Sequence, residues 1–99
     1  MTKRVYISGP ITGRPDGNKS AFYAAAIKII EEGAYPINPH DVTYFLPPGS
    51  KWVEYMKADI PALCEADEIY MLRGWWRSRG ARLEWVIACG LGYRIRYEA

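Results

Sequence analysis

The 99 residues suffice for one small domain and not for two. Apolar side chains make up 49% of them, enough to build a core, which argues against a disordered chain. The net charge is only +2 and the arginines gather between residues 73 and 96, so an extended basic groove for nucleic acid is not expected. Stacking of a single strand on Trp75 and Trp76 is the one alternative of that kind.

In chain order, Val5-Tyr6-Ile7-Ser8 is nearly continuous in apolar character, as buried parallel strands are. The loop from Gly9 to Pro15 follows, rich in small and turn residues. Its glycines let backbone N–H groups approach a ligand, although a plain turn would look the same. Asn18 or Ser20 is suited to cap a helix over about Ala21–Glu32, with Phe22, Ala25, Ala26, Ile29 and Ile30 as its apolar stripe and Gly33 at its end. Tyr35-Pro36-Ile37-Asn38 reads as a short edge strand, because proline cannot donate to a ladder.

Residues 38–50 form a long loop with three prolines, of the kind that serves as a lid or binding loop. It carries His40, Asp41, Tyr44 and Phe45. Ser50 is placed to cap a helix from Lys51 to about Ala58, which Pro61 should keep short. Asp59 is then either the cap of a following turn or a carboxylate turned inward near the strand ends. Ile69-Tyr70-Met71-Leu72, within the apolar run that starts at Glu68, is the third strand.

The most informative stretch is Arg73–Gly92. Ser78 and Gly80 open a helix over Arg79–Gly90, and a Ser/Gly turn there presents free N–H groups and the positive end of a dipole to an anion. Nearby arginines add forked phosphate donors. Leu83, Ile87 and Leu91 are spaced as a core stripe, widened by Val86 and Ala88, which places Glu84 at the edge of the apolar face. A carboxylate held there is partly desolvated and is a candidate reacting group; a surface ion pair with Arg79 or Arg82 is the plainer reading. Tyr93–Tyr97 alternates like a strand with one solvated face, at the far edge.

The order β-α-β-α-β-α-β predicts an α/β fold, a small three-layer Rossmann- or flavodoxin-like domain with a parallel sheet of about four strands in the order 2-1-3-4. Such sheets bind ligands beyond the strand C-termini where the order reverses, here between the loop at Gly9 and the loop at Arg73. Cys64 and Cys89 fit no metal spacing and read as small buried hydrophobes. No metal or cofactor is expected. Lys3 and Arg4 precede only about five strand residues, too few for a secretory signal, and no apolar run has the length of a membrane span. A cytoplasmic protein without a membrane partner is expected. Four tryptophans and eight tyrosines exceed the needs of one small core and point to a ligand pocket or to a subunit interface in a homodimer or higher homo-oligomer.

Taken together, Val5-Tyr6-Ile7-Ser8-Gly9-Pro10 with Ile11-Thr12-Gly13, Ala58-Asp59-Ile60, Ala66-Asp67, and Ser78-Arg79-Gly80 with Glu84 resemble the nucleoside 2-deoxyribosyltransferase superfamily. The likeness is greatest to its small, often phage- or prophage-borne members of unassigned function. The resemblance implies cleavage of an N-glycosidic bond, with Glu84 attacking the anomeric carbon. The Ser78-x-Gly80-x-x-x-Glu84 spacing is similar to the branch that hydrolyses deoxynucleoside 5′-monophosphates. There Ser78, Arg79, Gly80 and the loop Ser8, Gly9, Ile11, Thr12 and Gly13 would contact phosphate and sugar. Asp59 would assist the leaving group or the sugar, and Tyr6 would orient the nucleophile. Trp75, Trp76 and His40 are candidates to face the base or close the site. Where the transferases usually place an acidic residue against the base, this chain has Arg73-Gly74-Trp75-Trp76.

Three functions are compatible with these residues. One is an enzyme that cleaves, or transfers across, the N-glycosidic bond of a nucleotide or nucleoside. Another is a non-catalytic module that captures a nucleotide or nucleotide-derived signal, as a phage-encoded sponge would. The third is an interaction protein whose aromatic side chains serve assembly alone.

Overall fold

The computed structural model describes residues 2–99. Four parallel strands, β1 (Arg4–Ser8), β2 (Tyr35–Ile37), β3 (Glu68–Met71) and β4 (Arg94–Tyr97), form one sheet in the order β2-β1-β3-β4. The helices are α1 (Lys19–Glu31), a short α2 (Pro39–Val42), α3 (Trp52–Cys64) and α4 (Arg79–Gly90), with 3-10 turns at Pro15–Asn18 and Trp75–Arg77. The expected α/β class, strand number and strand order are all present.

The handedness of the connections explains the layers. The step from β1 to β2 runs one way along the sheet, and the steps to β3 and β4 run the other way. Right-handed crossovers therefore put α1 on one face and α3 with α4 on the other. The side-chain period of two then divides the central strands between two cores. Val5, Ile7, Tyr70 and Leu72 pack with Phe22, Ala25 and Ile29 of α1. Tyr6, Ile69 and Met71 pack with Leu63 of α3 and with Ala81 and Ala88 of α4. Ser8 shares the second face with Tyr6 by the same alternation, and it is fully buried. The register pairs Tyr6 with Ile69 and Ser8 with Met71, so the C-terminal ends of β1 and β3 are level.

Several local expectations are corrected. Helix α3 does not stop at Ala58 but runs through Pro61 to Cys64. Pro61 and Lys57, whose carbonyl loses its helical donor there, are both exposed, so water can satisfy that group. Asp59 is accordingly mid-helix and not a cap. Ser50 donates to the Pro47 carbonyl at 2.6 Å instead of capping α3. Helix α1 starts at Lys19, and neither Asn18 nor Ser20 caps it: Asn18 is left-handed with no cap bond and Ser20 lies inside the helix. Ile30 is exposed. Cys64 and Cys89 are both exposed, not buried.

The largest correction concerns α4. Its buried residues are Ala81, Glu84 and Ala88, while Val86 and Leu91 are exposed. Two alanines let the helix lie close over Tyr6 and Met71, and the residue between them is drawn into the core. Glu84 thus occupies the middle of the buried face and not its edge.

Candidate active site

Glu84 is 5% exposed. A carboxylate so placed needs donors, and the strand beneath supplies two. The Tyr6 hydroxyl donates to Glu84 Oε2 at 2.7 Å, and Ser8 Oγ donates to Oε1 at 2.6 Å. Both donors project from alternate positions of β1 toward α4, so the geometry follows from strand periodicity. Burial raises the Glu84 carboxyl to about 7 against the lowering pull of the Ser8 and Tyr6 hydrogen bonds. The Tyr6 hydroxyl is pushed well above its ordinary value by burial and then by the neighbouring charges of Glu84 and Asp59.

Asp59 is the second buried carboxylate, 6% exposed. Its Oδ1 has no hydrogen-bond partner among the described residues. Burial, followed by repulsion from Glu84, raises its carboxyl to about 8. The environments of the two acids differ, one held by donors and one bare, so one can ionise while the other stays a proton donor. Near neutrality Asp59 keeps its proton while Glu84 titrates.

Both acids line one cavity of about 1010 Å3 beyond the C-terminal ends of β1 and β3. This is where the strand order reverses. Its first wall is the loop after β1, with Gly9, Pro10, Ile11, Thr12 and Arg14. Gly9 is required there, because a Cβ would stand 2.7 Å from Leu72 Cβ and close the approach of the loop to β3. The second wall is the start of α4. Ser78 caps that helix, its Oγ accepting from the Ala81 N–H at 3.2 Å. The N–H groups of Arg79 and Gly80 occupy the first helical positions, which have no intrahelical acceptor. The third wall comes from α3, with Trp52, Tyr55 and Met56 beside Asp59. The Arg79 guanidinium lies 3.7 Å from the centre of the Trp52 ring, and a Cβ on Gly80 would be 3.2 Å from Met56 Sδ. The remaining wall is residues 39–50, including His40 and Tyr44.

The structure therefore gathers Glu84, Asp59, Gly9, Ile11, Thr12, Ser78, Arg79, Gly80 and His40 around one cavity. Tyr6 and Ser8 stand behind Glu84 and hold it; Ser8 is not a lining residue. Gly13 also lies outside the lining, at a left-handed turn with φ 79°. His40 is half-buried, edge-on to Phe22, with Nε2 2.9 Å from the Gly17 carbonyl, and burial lowers its pKa. Trp75 and Trp76 do not reach the cavity. The left-handed Gly74 and the following 3-10 turn direct Trp75 onto Trp85, stacked at 5.5 Å, and toward Tyr97. Trp76 is exposed. The aromatic wall is supplied instead by Trp52 and Tyr55. Their spacing from Asp59, seven and four residues, marks one face of a helix and was the available signal. Among the described residues no three His, Cys, Asp or Glu side chains gather as a metal site, and no helix is long and apolar enough to cross a membrane.

Fold and site define an α/β protein with a buried carboxylate pair in the crevice at the switch point of a parallel sheet. The chain belongs to the family described as a domain of unknown function, DUF4406, whose sequence profile matches residues 3–97. No curated protein matches it.

Proposed function

We propose that the protein cleaves the N-glycosidic bond of a nucleotide, as the nucleoside 2-deoxyribosyltransferase-like motifs imply. The observation that carries this reading is the Glu84 carboxylate, buried, held at both oxygens by Tyr6 and Ser8, and sharing one cavity with Asp59. In the reaction, ionised Glu84 attacks the anomeric carbon as the bond to the base breaks. Asp59 gives its proton to the departing base. The covalent glycosyl-Glu84 then passes the sugar to water, or to another base in a transfer, and Asp59 regains a proton. This is the carboxylate solution to an oxocarbenium-like transition state. Tyr6 and Ser8 fix the trajectory of Glu84 and keep its ionised form accessible. The open N–H groups of Arg79 and Gly80, with the Ser78 hydroxyl, suit the phosphate.

A second reading, nucleotide capture without chemistry, draws on the same two hydrogen bonds. Each occupies a Glu84 oxygen, leaving the group equally suited to accept from a sugar hydroxyl. The experiment that separates the two is a panel of ribo- and deoxynucleosides and their 5′-monophosphates, with free base quantified by chromatography. Base released by wild type and not by Glu84→Gln supports cleavage. A ligand retained stoichiometrically with no base released supports capture.

A further inference from the structure

The eight arginines divide into two groups. Five have acceptors: Arg4 pairs with Glu65, Arg94 with Glu68, and Arg96 with Glu32, while Arg73 and Arg82 donate to the carbonyls of Ala99 and Trp76. The other three, Arg14, Arg77 and Arg79, have no ion pair or side-chain hydrogen bond to any described residue. All three line the cavity. The segments that carry them adjoin. Arg14 lies against the segment that carries Arg77, since a Cβ on Gly74 would stand 2.7 Å from Arg14 Nη2. Arg79 opens α4 two residues after Arg77, its plane covered by Trp52 and its edge left as a donor fork.

We propose that this cluster receives a diphosphate, so that the ligand is a nucleotide bearing two phosphoryl groups and not one. The inference rests on the nucleotide reading above. Three guanidiniums without acceptors offer an anion in the cavity three unmatched positive charges. A phosphate monoester brings a charge of about −1.5 to −2, which leaves the third guanidinium unmatched. A second phosphoryl group adds both charge and acceptor oxygens, and arginine forks take these in pairs. The size agrees: about 1010 Å3 lies at the upper end of the roughly 300–1,000 Å3 typical of small-ligand pockets. The unpartnered, buried Oδ1 of Asp59 in the same lining is left for the uncharged part of the ligand.

The test compares 2′-deoxynucleoside 5′-mono- and diphosphates of the four common bases, with inorganic pyrophosphate as a competitor, by calorimetric Kd and by KM for base release. The diphosphate is expected to bind at least about tenfold more tightly than the matching monophosphate, the factor expected of added charged hydrogen bonds. Arg14→Ala and Arg77→Ala should each shrink that ratio, and Lys57→Ala, exposed and outside the cavity, should not. Equal affinity for the two nucleotides, or a ratio that the arginine variants leave intact, would overturn the proposal. The two readings fail separately. Base release without a diphosphate preference removes only the present inference. A diphosphate preference without base release keeps it and removes the glycosidase.

Discussion

Replacing Glu84 by Gln should make the protein more stable in mildly alkaline solution. The carboxyl is raised from 4.5 to about 7 by burial, so the native state binds a proton across that window that the unfolded chain has released. Stability from this group is therefore fully present below about pH 4.5 and is lost as pH rises through 7. At about 1.4 kcal/mol per unit, the loss approaches about 3 kcal/mol by pH 8. An amide of the same shape carries no such penalty, and the hydroxyls of Ser8 and Tyr6 can accept from it as readily as donate to it. The assay is urea unfolding of both proteins from pH 5 to pH 8.5. The difference between variant and wild type should grow by about 2–3 kcal/mol between pH 5 and pH 8. A difference that is flat with pH would refute the reasoning, because Glu84 would then titrate alike in the folded and unfolded chains.

The same hydrogen bonds make further expectations concrete. Tyr6→Phe removes one donor from ionised Glu84, a bond worth about 1.5–3 kcal/mol, so the Glu84 pKa should rise by about one to two units, read from carbon NMR of labelled glutamate. In the proposed cleavage kcat/KM should rise through about 7 as Glu84 ionises and fall through about 8 as Asp59 loses its proton; Asp59→Asn should abolish the alkaline limb together with most of the rate. Ser78→Ala removes the α4 cap and should cost about 1 kcal/mol in urea unfolding, with weaker binding of phosphorylated ligands than of nucleosides. Gly9→Ala should destabilise by about 1–3 kcal/mol, since the new methyl group meets buried Leu72 at 2.7 Å.

The strands and their order were legible because they depend on signals that are local and unambiguous. Val5–Ser8 and Ile69–Leu72 are short apolar runs closed by glycine or arginine loops, and right-handed crossovers leave little choice in arranging them. The start of α4 was legible for the same reason, since Ser78 and Gly80 are residues that helix starts favour. The face of α4 was not. A periodic reading ranks Leu83, Ile87 and Leu91 above Ala81 and Ala88 and counts Glu84 as polar. What reverses that order is a pair of hydroxyl donors 78 and 76 residues away on β1. Small residues mark close helix–sheet contact, a property of the partner surface that hydropathy does not carry.

The candidate site shows the same division. Spacing singles out Glu84 and Ser78, which the structure brings to one cavity, and leaves Asp59 between two roles. Its position on α3 resolves them, and the sequence obscured it only through Pro61, which the exposed side of the helix tolerates. Trp75 and Trp76 stand out as adjacent aromatics, but a left-handed Gly74 sends Trp75 to α4 and β4 and leaves Trp76 exposed. Trp52 and Tyr55, on one helical face with Asp59, are the rings of α3 that reach the cavity. Arg14 and Arg77 gain meaning, beside Arg79, only once the other five arginines are seen to be engaged.

The proposed covalent step can be tested directly by intact-protein mass spectrometry after acid quenching of the protein with a slowly turned-over 2′-fluorinated nucleotide. The account predicts a mass gain equal to the sugar with its phosphate, localised by peptide mapping to the segment holding Glu84 and missing from Glu84→Gln. Base release that persists in Glu84→Gln, with no adduct in the wild type, would contradict the assignment of Glu84 as the nucleophile.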